Sequence, residues 1–432
     1  MTTAPIEIDT SGIDLADPQF ATIEAWADGS ATRAAYFKKL RDDAPVMFAE
    51  EAAIEGFPQG PGFWSVTRFD DIMHVSRHPE LFCSGLGTNI PDLPVEIAEF
   101  YGSMISMDAP RHTRLRRIVS KSFTPRMVAR IDEDVHVKAR GVLAEVGSKG
   151  ECDFVAEIAS VLPLQIICEM MGIPRESWTR IMELTNVILG GGDPELTPDF
   201  GTLLAASLEM AAIAQAVGED RLANPRDDLV SALMHASVDG ESLTPQEMAS
   251  FFILLAAAGN ETTRNAISHG AWELHNDRAQ WDAWATDPET LSPTAVEEIV
   301  RWATPVIHFR RTATEDTEIS GQKIAKGEKV VMWYESGNRD ERHFEDPHRF
   351  DIARTPNDHI GFGAGGPHFC LGANLARREI RVMFEEIFRW LPDLRITAPP
   401  DYLQSPFIHG IKRMRCEFTP ADVPRLPHAS PA

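Results

Sequence analysis

One segment does most to restrict the folds open to this chain. Thr244, Pro245 and Glu247 supply an N-cap, a proline at the first helical position and a capping-box glutamate, so the pattern predicts a helix running from there through about residue 275. Its first half, MASFFILLAAAG, is apolar nearly all round, and such a helix has to be enclosed on every side. Enclosing it takes a large, mostly helical body. The apolar run then meets Gly259, Asn260, Glu261, Thr262 and Thr263. A buried carboxylate is costly without a partner, so Glu261 either pairs, with Arg264 or Arg301 in reach, or borders a wet cavity where it handles protons. A glycine in mid-helix costs about 1 kcal/mol relative to alanine and lets another group approach the backbone closely. A capped, salt-bridged core helix accounts for the same residues without any chemistry.

The chain has 432 residues, 43% of them hydrophobic, enough for a sizeable core. Its formal net charge of −24 argues against nucleic acid as a partner. The longest uninterrupted apolar run, Phe251 to Ala258, is far shorter than a membrane span needs. The N-terminus has no basic region followed by an apolar stretch, so a soluble, cytoplasmic protein is expected. The five cysteines form no CxxC pair and read as reduced thiols, not as a disulfide or zinc framework. Without repeats or low-complexity linkers, the simplest organisation is a single domain over 1–432, with an N-terminal arm at 1–20 and a tail at 420–432. The periodicity gives a mainly α fold with a minor β part, the latter centred on a hairpin in TEISGQKIAKGEKVVMWY. Residues 185–201, rich in glycine and proline, form a loop that is either a lid or a passive surface connection.

In HIGFGAGGPHFCLGANLARREIRVMFEEIFRWLPDL, four glycines and a proline precede Cys370, and an amphipathic helix follows it. Free N–H groups and the positive end of the helix dipole stabilise a thiolate at such a position, as ligand or nucleophile; a buried inert cysteine is the plainer alternative. Gly361, Gly363 and Gly366 also match a dinucleotide-binding pattern, but DIARTPND precedes them where a buried strand is required.

With these residues the chain resembles the cytochrome P450 family of haem-thiolate monooxygenases over nearly its whole length. Phe362, Gly363, Gly365, His368, Cys370 and Gly372 resemble the cysteine-ligand loop, Ala258 to Thr262 the oxygen-activation segment, and Glu298 to Arg301 the E-x-x-R signature, on a helix opened by Ser292-Pro293 and ended before Pro305. One departure is the eight positions from Phe362 to Cys370, where the commonest pattern has seven. The resemblance implies haem b as cofactor and Cys370 as the iron ligand, anionic so that it pushes electron density towards O–O cleavage. It implies that Gly372 lets the loop lie close to the ring, that Gly259 leaves room for dioxygen, and that Thr262 and Glu261 manage proton delivery. It places His112, Arg116, Arg311 and His368 at the haem propionates. It makes Glu298 and Arg301 structural, with Arg349 as the third member and Arg342 and Arg354 as rivals.

No flavin or iron–sulfur pattern occurs, so electrons have to come from another protein; the resemblance implies a ferredoxin and its reductase, with NAD(P)H as the source. Residues 110–130 carry seven Arg/Lys and no Asp or Glu, and Arg377, Arg378 and Arg381 follow the cysteine loop, a basic patch suited to an acidic carrier or an ordinary solvated face. Within the family the chain is similar to actinobacterial enzymes that hydroxylate terminal carbons of methyl-branched lipids and sterol side chains, on PLQIICEMMGIP, FFILLAAAGNETTRNAISHG, VEEIVRWATPV and SPFIHGIK. Family position makes Met104, Ile105, Leu255, Ala258, Val306, Ile307, Phe407 and Ile408 the apolar lining. The implied reaction is ω-hydroxylation of an aliphatic chain. A terpenoid hydroxylase of the same fold and a haem-binding sensor or carrier are the alternatives.

Overall fold

The computed structural model describes residues 7–16, 31–51, 59–92, 103–122, 125–236 and 242–426, with side chains omitted at 121–134. Parts of both expected arms, 1–6, 17–20 and 427–432, lie outside these residues.

Helices account for most of the architecture. They are α1 (Ala31–Asp43), α2 (Phe69–Arg77), α3 (Arg111–Ser122), α4 (Pro125–Val146), α5 (Val161–Met170), α6 (Trp178–Leu189), α7 (Phe200–Ala223), α8 (Leu229–Met234), α9 (Pro245–Asn276), α10 (Arg278–Thr286), α11 (Pro288–Ala303), α12 (Tyr334–Gly337) and α13 (Ala373–Trp390). The strands are β1 (Val46–Ala49), β2 (Phe63–Val66), β3 (Phe82–Cys83), β4 (Glu151–Asp153), β5 (His308–Ala313), β6 (Thr317–Ile319), β7 (Gln322–Ile324), β8 (Lys329–Trp333), β9 (Arg395–Ile396), β10 (Asp401–Tyr402), β11 (Ile411–Arg413) and β12 (Arg415–Glu417).

The predicted central helix is α9. Thr244 Oγ1 accepts from Glu247 N at 3.1 Å while the Glu247 carboxylate accepts from Thr244 N at 3.1 Å, the reciprocal cap that the sequence spelled out. Glu247 also receives Arg111 Nε at 3.2 Å and Arg114 Nη2 at 2.9 Å, so the cap ties α3 to the start of α9. The 32 residues of α9 give a rod of about 48 Å at 1.5 Å per residue. It packs against α5, α6, α7, α11 and α13. Its two ends serve two separate cores. Phe251, Phe252, Ile253 and Ala256 join Leu115, Ile167, Met210 and Leu233, whereas Ala266, Ile267, Ala271 and Leu274 join Trp284, Ile299, Phe384 and Ile387. At Gly270 a Cβ would come within 2.8 Å of Ile299, so α9 and α11 meet there at backbone distance.

The principal sheet has the order β1-β2-β8-β5-β3, with β2 and β8 parallel and the other pairs antiparallel. Its central strand β8 is buried throughout, including Lys329, which Glu51 holds at 2.6 Å. The expected hairpin is β6–β7, turning through Ser320 and Gly321 in left-handed backbone. The helix carrying the E-x-x-R residues begins earlier than its Ser292-Pro293 signal. Asp287 caps Thr290 N at 3.2 Å and Pro288 takes the first position, so Pro293 lies inside α11.

Residues 190–199 are a pinned loop. Asp193, fully buried, accepts from Gln404 N at 3.0 Å and pairs with Lys412 at 3.1 Å, and Thr197 donates to Val187 O at 2.7 Å. Among the described residues one helix, α7, is long and apolar enough to cross a membrane; it packs between α6, α8 and α9.

Candidate active site

The cysteine loop is built by glycines that only glycine can replace. Gly363, Gly365 and Gly366 have φ of 96°, 78° and 74°. A Cβ on Gly366 would fall 2.2 Å from Ser76 O, and the Ser76 hydroxyl donates to Gly365 O at 2.9 Å. Ile360 N donates to Asn338 Oδ1 at 2.9 Å, and Cys370 N to Phe362 O at 3.0 Å, closing the loop onto itself. Gly372 is the N-cap of α13, and a Cβ there would touch nothing within 4 Å.

Cys370 is accessible yet enclosed by protein on most sides. Desolvation pushes its thiol up, while N–H groups of Gly372 and Ala373 and the cations Arg116 and Arg377 act the other way. Leu371 packs in the same cluster as Leu115 of α3 and Ala256 of α9. The cysteine and the accessible strip of α9, namely Leu255, Ala258 and Thr262, thus belong to one region.

Four cationic or imidazole side chains gather beside the loop. Arg116 Nη2 donates to Phe369 O at 2.7 Å, the His112 and His368 rings lie 4.3 Å apart, and His368 Nε2 meets Ser84 Oγ at 3.1 Å. Burial, then the charges of Arg311, His112 and Arg116, press His368 down to about 3. Burial and Arg116 likewise lower His112. Arg311 is buried and donates to Arg310 O at 2.8 Å. Among the described residues no carboxylate forms an ion pair with Arg311 or Arg116, and His112 Nε2 is buried without a partner. Desolvated cations and an orphaned imidazole nitrogen beside an accessible cysteine fit a planar group bearing carboxylates and a thiolate-binding metal, which is what haem presents.

On α9, Thr262 Oγ1 donates to Ala258 O at 2.7 Å. Glu261, 1% exposed, pairs with Arg264, which reaches Asn186 of α6 at 2.8 Å; Arg301 is elsewhere. Burial raises the Glu261 carboxyl against the pull of Arg264, and its Oε1 is left without a partner. Gly259 differs from expectation: a Cβ there would meet Ile167 of α5 at 3.2 Å, so the glycine admits a neighbouring helix, and Ala258 is the residue that opens the surface.

Glu298 and Arg301 form the expected fork, at 2.7 and 2.8 Å, both fully buried. The third member is Arg354, whose Nε reaches Glu298 Oε2 at 3.1 Å. Arg349, the expected partner, is exposed and contributes only its carbonyl, to Arg301 at 3.2 Å and Arg354 at 2.8 Å. Arg342 pairs with Asp42 and Asp340. Burial alone would raise the Glu298 carboxyl; the guanidinium of Arg301 and the charge of Arg354 hold it below its ordinary range.

Of the expected lining, Ile105, Leu255, Ala258, Val306 and Phe407 keep accessible surface. Ile307 does not. It is fully buried with Phe37, Leu40, Val331 and Trp333, just ahead of β5, while Val306 bridges Ile408, which is 1% exposed. Met104 is also in the core, against Leu115 and Ile118. Phe362 is covered by Arg377, 4.4 Å from its ring. In the basic patch, Arg111 and Arg114 share Glu247, Arg377 pairs with Glu297, and the side chains of Lys121, Arg126 and Arg130 lie outside the described residues. In sequence Arg354 is named only as a rival to Arg349, and the residues missed there are Ser84 and Asn338; none of the three carries a local motif.

A mainly helical body crossed by one buried helix, with a glycine-built cysteine loop facing it, defines a haem-thiolate enzyme. The chain belongs to the cytochrome P450 family, whose cofactor is haem b: the family model for cytochrome P450 matches residues 290–396. It is 51% identical to the methyl-branched lipid omega-hydroxylase of Mycobacterium tuberculosis, covering 93% of this chain and 95% of that one. It is 38% identical to the steroid C26-monooxygenase of the same species, over 97% and 95%. Among solved structures, a Mycobacterium marinum cytochrome P450 in complex with pseudoionone matches with TM-score 0.89 and 41% identity, covering 97% of this chain and 100% of that one.

Proposed function

We propose that this monooxygenase, working in the cytoplasm with electrons relayed from NAD(P)H through a ferredoxin and its reductase, hydroxylates the terminal carbon of a methyl-branched lipid or sterol side chain. The observation that carries this reading is the 51% identity, spread over 93% of the chain, to an omega-hydroxylase of methyl-branched lipids. The mostly apolar accessible residues Ile105, Leu255, Ala258, Val306 and Phe407 suit an aliphatic guest. The titration that tests it reads the haem spin state across branched fatty acids, isoprenoids and sterols. Branched chains should bind most tightly and yield the terminal alcohol; a subterminal alcohol, or no response to branched chains, would overturn it. The pseudoionone bound by the Mycobacterium marinum relative supports one second reading, an isoprenoid substrate.

Bound haem supplies dioxygen binding and cleavage, which a thiolate ligand favours over reversible binding. In this reading Cys370 is that ligand, with the Gly372 and Ala373 N–H groups and Arg116 holding its negative charge. Arg311, His112, Arg116 and His368 would hold the propionates, which replace the counter-ions these side chains lack. Thr262 Oγ1 donates its hydrogen bond to Ala258 O, so its lone pairs would be free to accept a proton's hydrogen bond from a donor at the accessible strip of α9. Glu261, with Oε1 unpartnered and Arg264 on the other oxygen, is the nearest carboxyl in sequence able to exchange that proton. Thr262→Ala should therefore keep consuming NADH while coupling falls several-fold and hydrogen peroxide rises to match. Unchanged coupling would remove Thr262 from the proton path.

A further inference from the structure

Two thiols that lie 264 residues apart in sequence face each other across an antiparallel ladder. Strand β12 is central in the small sheet β4-β12-β9, and Cys416 stands directly opposite Cys152 of the edge strand β4. Phe154 N donates to Met414 O at 2.8 Å and Phe418 N to Gly150 O at 2.9 Å. Alternation along the ladder then puts the two cysteines at a hydrogen-bonded pair, where Cα atoms sit about 5.5 Å apart, inside the span a disulfide bridges. Their sulfurs are 3.5 Å apart, and Cys416 Sγ also donates to Cys152 O at 3.6 Å. Cys152 is partly exposed; Cys416 is buried. Neither contacts the cysteine loop, α9 or the Glu298 cluster through any described hydrogen bond.

We propose that Cys152 and Cys416 form a peroxide-oxidisable pair, a site of reversible intramolecular disulfide formation. The oxidant is hydrogen peroxide, which a monooxygenase of this class releases whenever dioxygen reduction runs uncoupled from substrate. The sulfur of Cys152, the partly exposed member of the pair, attacks one peroxide oxygen as the thiolate. An S–O bond forms, the O–O bond breaks, and water leaves after protonation, giving a sulfenic acid oxidised by two electrons. Cys416 then attacks that sulfur as the S–O bond breaks and a second water departs. Two thiols and one hydrogen peroxide give one disulfide and two waters. The sulfurs have only to close from 3.5 Å to about 2.05 Å, and a dithiol reductant reverses the bond. The other cysteines have no such arrangement. Cys168 is buried, and neither it nor Cys83 has a second sulfur within hydrogen-bond reach.

The product staples β4 to β12 and so fixes the entry to the π-helical turn Val155–Ala159, which packs on α9. A cross-link closing so long a loop restricts the unfolded chain, and the melting midpoint should rise by a few degrees.

The test uses the ferric holoenzyme, without reductant, titrated with hydrogen peroxide to a point short of haem bleaching, then alkylated, digested and mapped by mass spectrometry. Free thiols should fall from five to three, with a peptide joined through Cys152 and Cys416 that dithiothreitol releases. In Cys416→Ser, Cys152 should accumulate as a sulfenic acid trapped by a 1,3-dione. In Cys152→Ser, a change at a partly exposed site, the count should not fall while the carbon monoxide spectrum stays that of the parent. Haem bleaching before any thiol loss, Cys152 ending as a sulfinic acid without the cross-link, or a bond to any other cysteine would overturn the proposal.

Discussion

Cys370→Ser is expected to fold, to bind haem weakly, and to lose the carbon monoxide signature of a thiolate-ligated iron together with turnover. Serine keeps the size of the side chain and the loop's backbone bonds, so Cys370 N still reaches Phe362 O. What it removes, in the proposed reading, is an anionic sulfur, whose charge the Gly372 and Ala373 N–H groups, Arg116 and Arg377 would favour. An alcohol does not ionise under these conditions, so those donors face a neutral oxygen. Product formation should fall by about 10³ or more, a rise of at least ~4 kcal/mol in the barrier. A retained thiolate spectrum in the purified variant would remove Cys370 as ligand.

The second large effect concerns stability. Glu298→Gln and Arg301→Lys should each cost about 3–5 kcal/mol in urea unfolding and sharply reduce haem-loaded yield, because each leaves a fully buried charge without its fork. Arg354→Ala should be nearly as damaging, because Arg354 holds Glu298 Oε2 and three carbonyls behind the loop. Arg349→Ala is the control. Its side chain is exposed, so the cost should stay within about 0.5 kcal/mol. The pH dependence has a definite sign. Glu298 is held below the ordinary carboxylate range, so its contribution is complete above the unfolded value of about 4.3 and lost as pH falls through the lower folded value. Glu298→Gln should therefore lose less stability than the parent across that acid window. Equal acid sensitivity would show that this carboxylate is not a driver of acid unfolding.

The contrast between Arg354 and Arg349 shows what could be read in advance. The cap of α9, the cysteine loop and the Glu298–Arg301 fork are local: partners lie within a few residues, and i, i+3 spacing on a helix determines that they meet. The third arginine is chosen by the turn through Asp346, a residue with φ of 44°, and no periodicity reports it. The same limit governs Val306 and Ile307. Adjacent residues point to opposite sides, so family position identifies the segment while only the register at Ile408 decides which one faces inward. Gly259 was legible as a place of close approach, but whether it admitted a ligand or Ile167 depended on where α5 packs. Cys152 and Cys416 are the extreme case, since their meeting depends on strand pairing across most of the chain.

The anchoring of residues 190–199 has a mechanical consequence. Asp193 is grasped from two directions, by the Gln404 amide and by Lys412, so lifting this connection off the body requires the 401–413 hairpin to yield with it. Phe407 rides on that hairpin's own loop, between β10 and β11. If Phe407 lines the chamber as proposed above, a guest that entered by raising the span between α6 and α7 would also loosen a wall of its own seat, so that doorway and seat would move as one linkage.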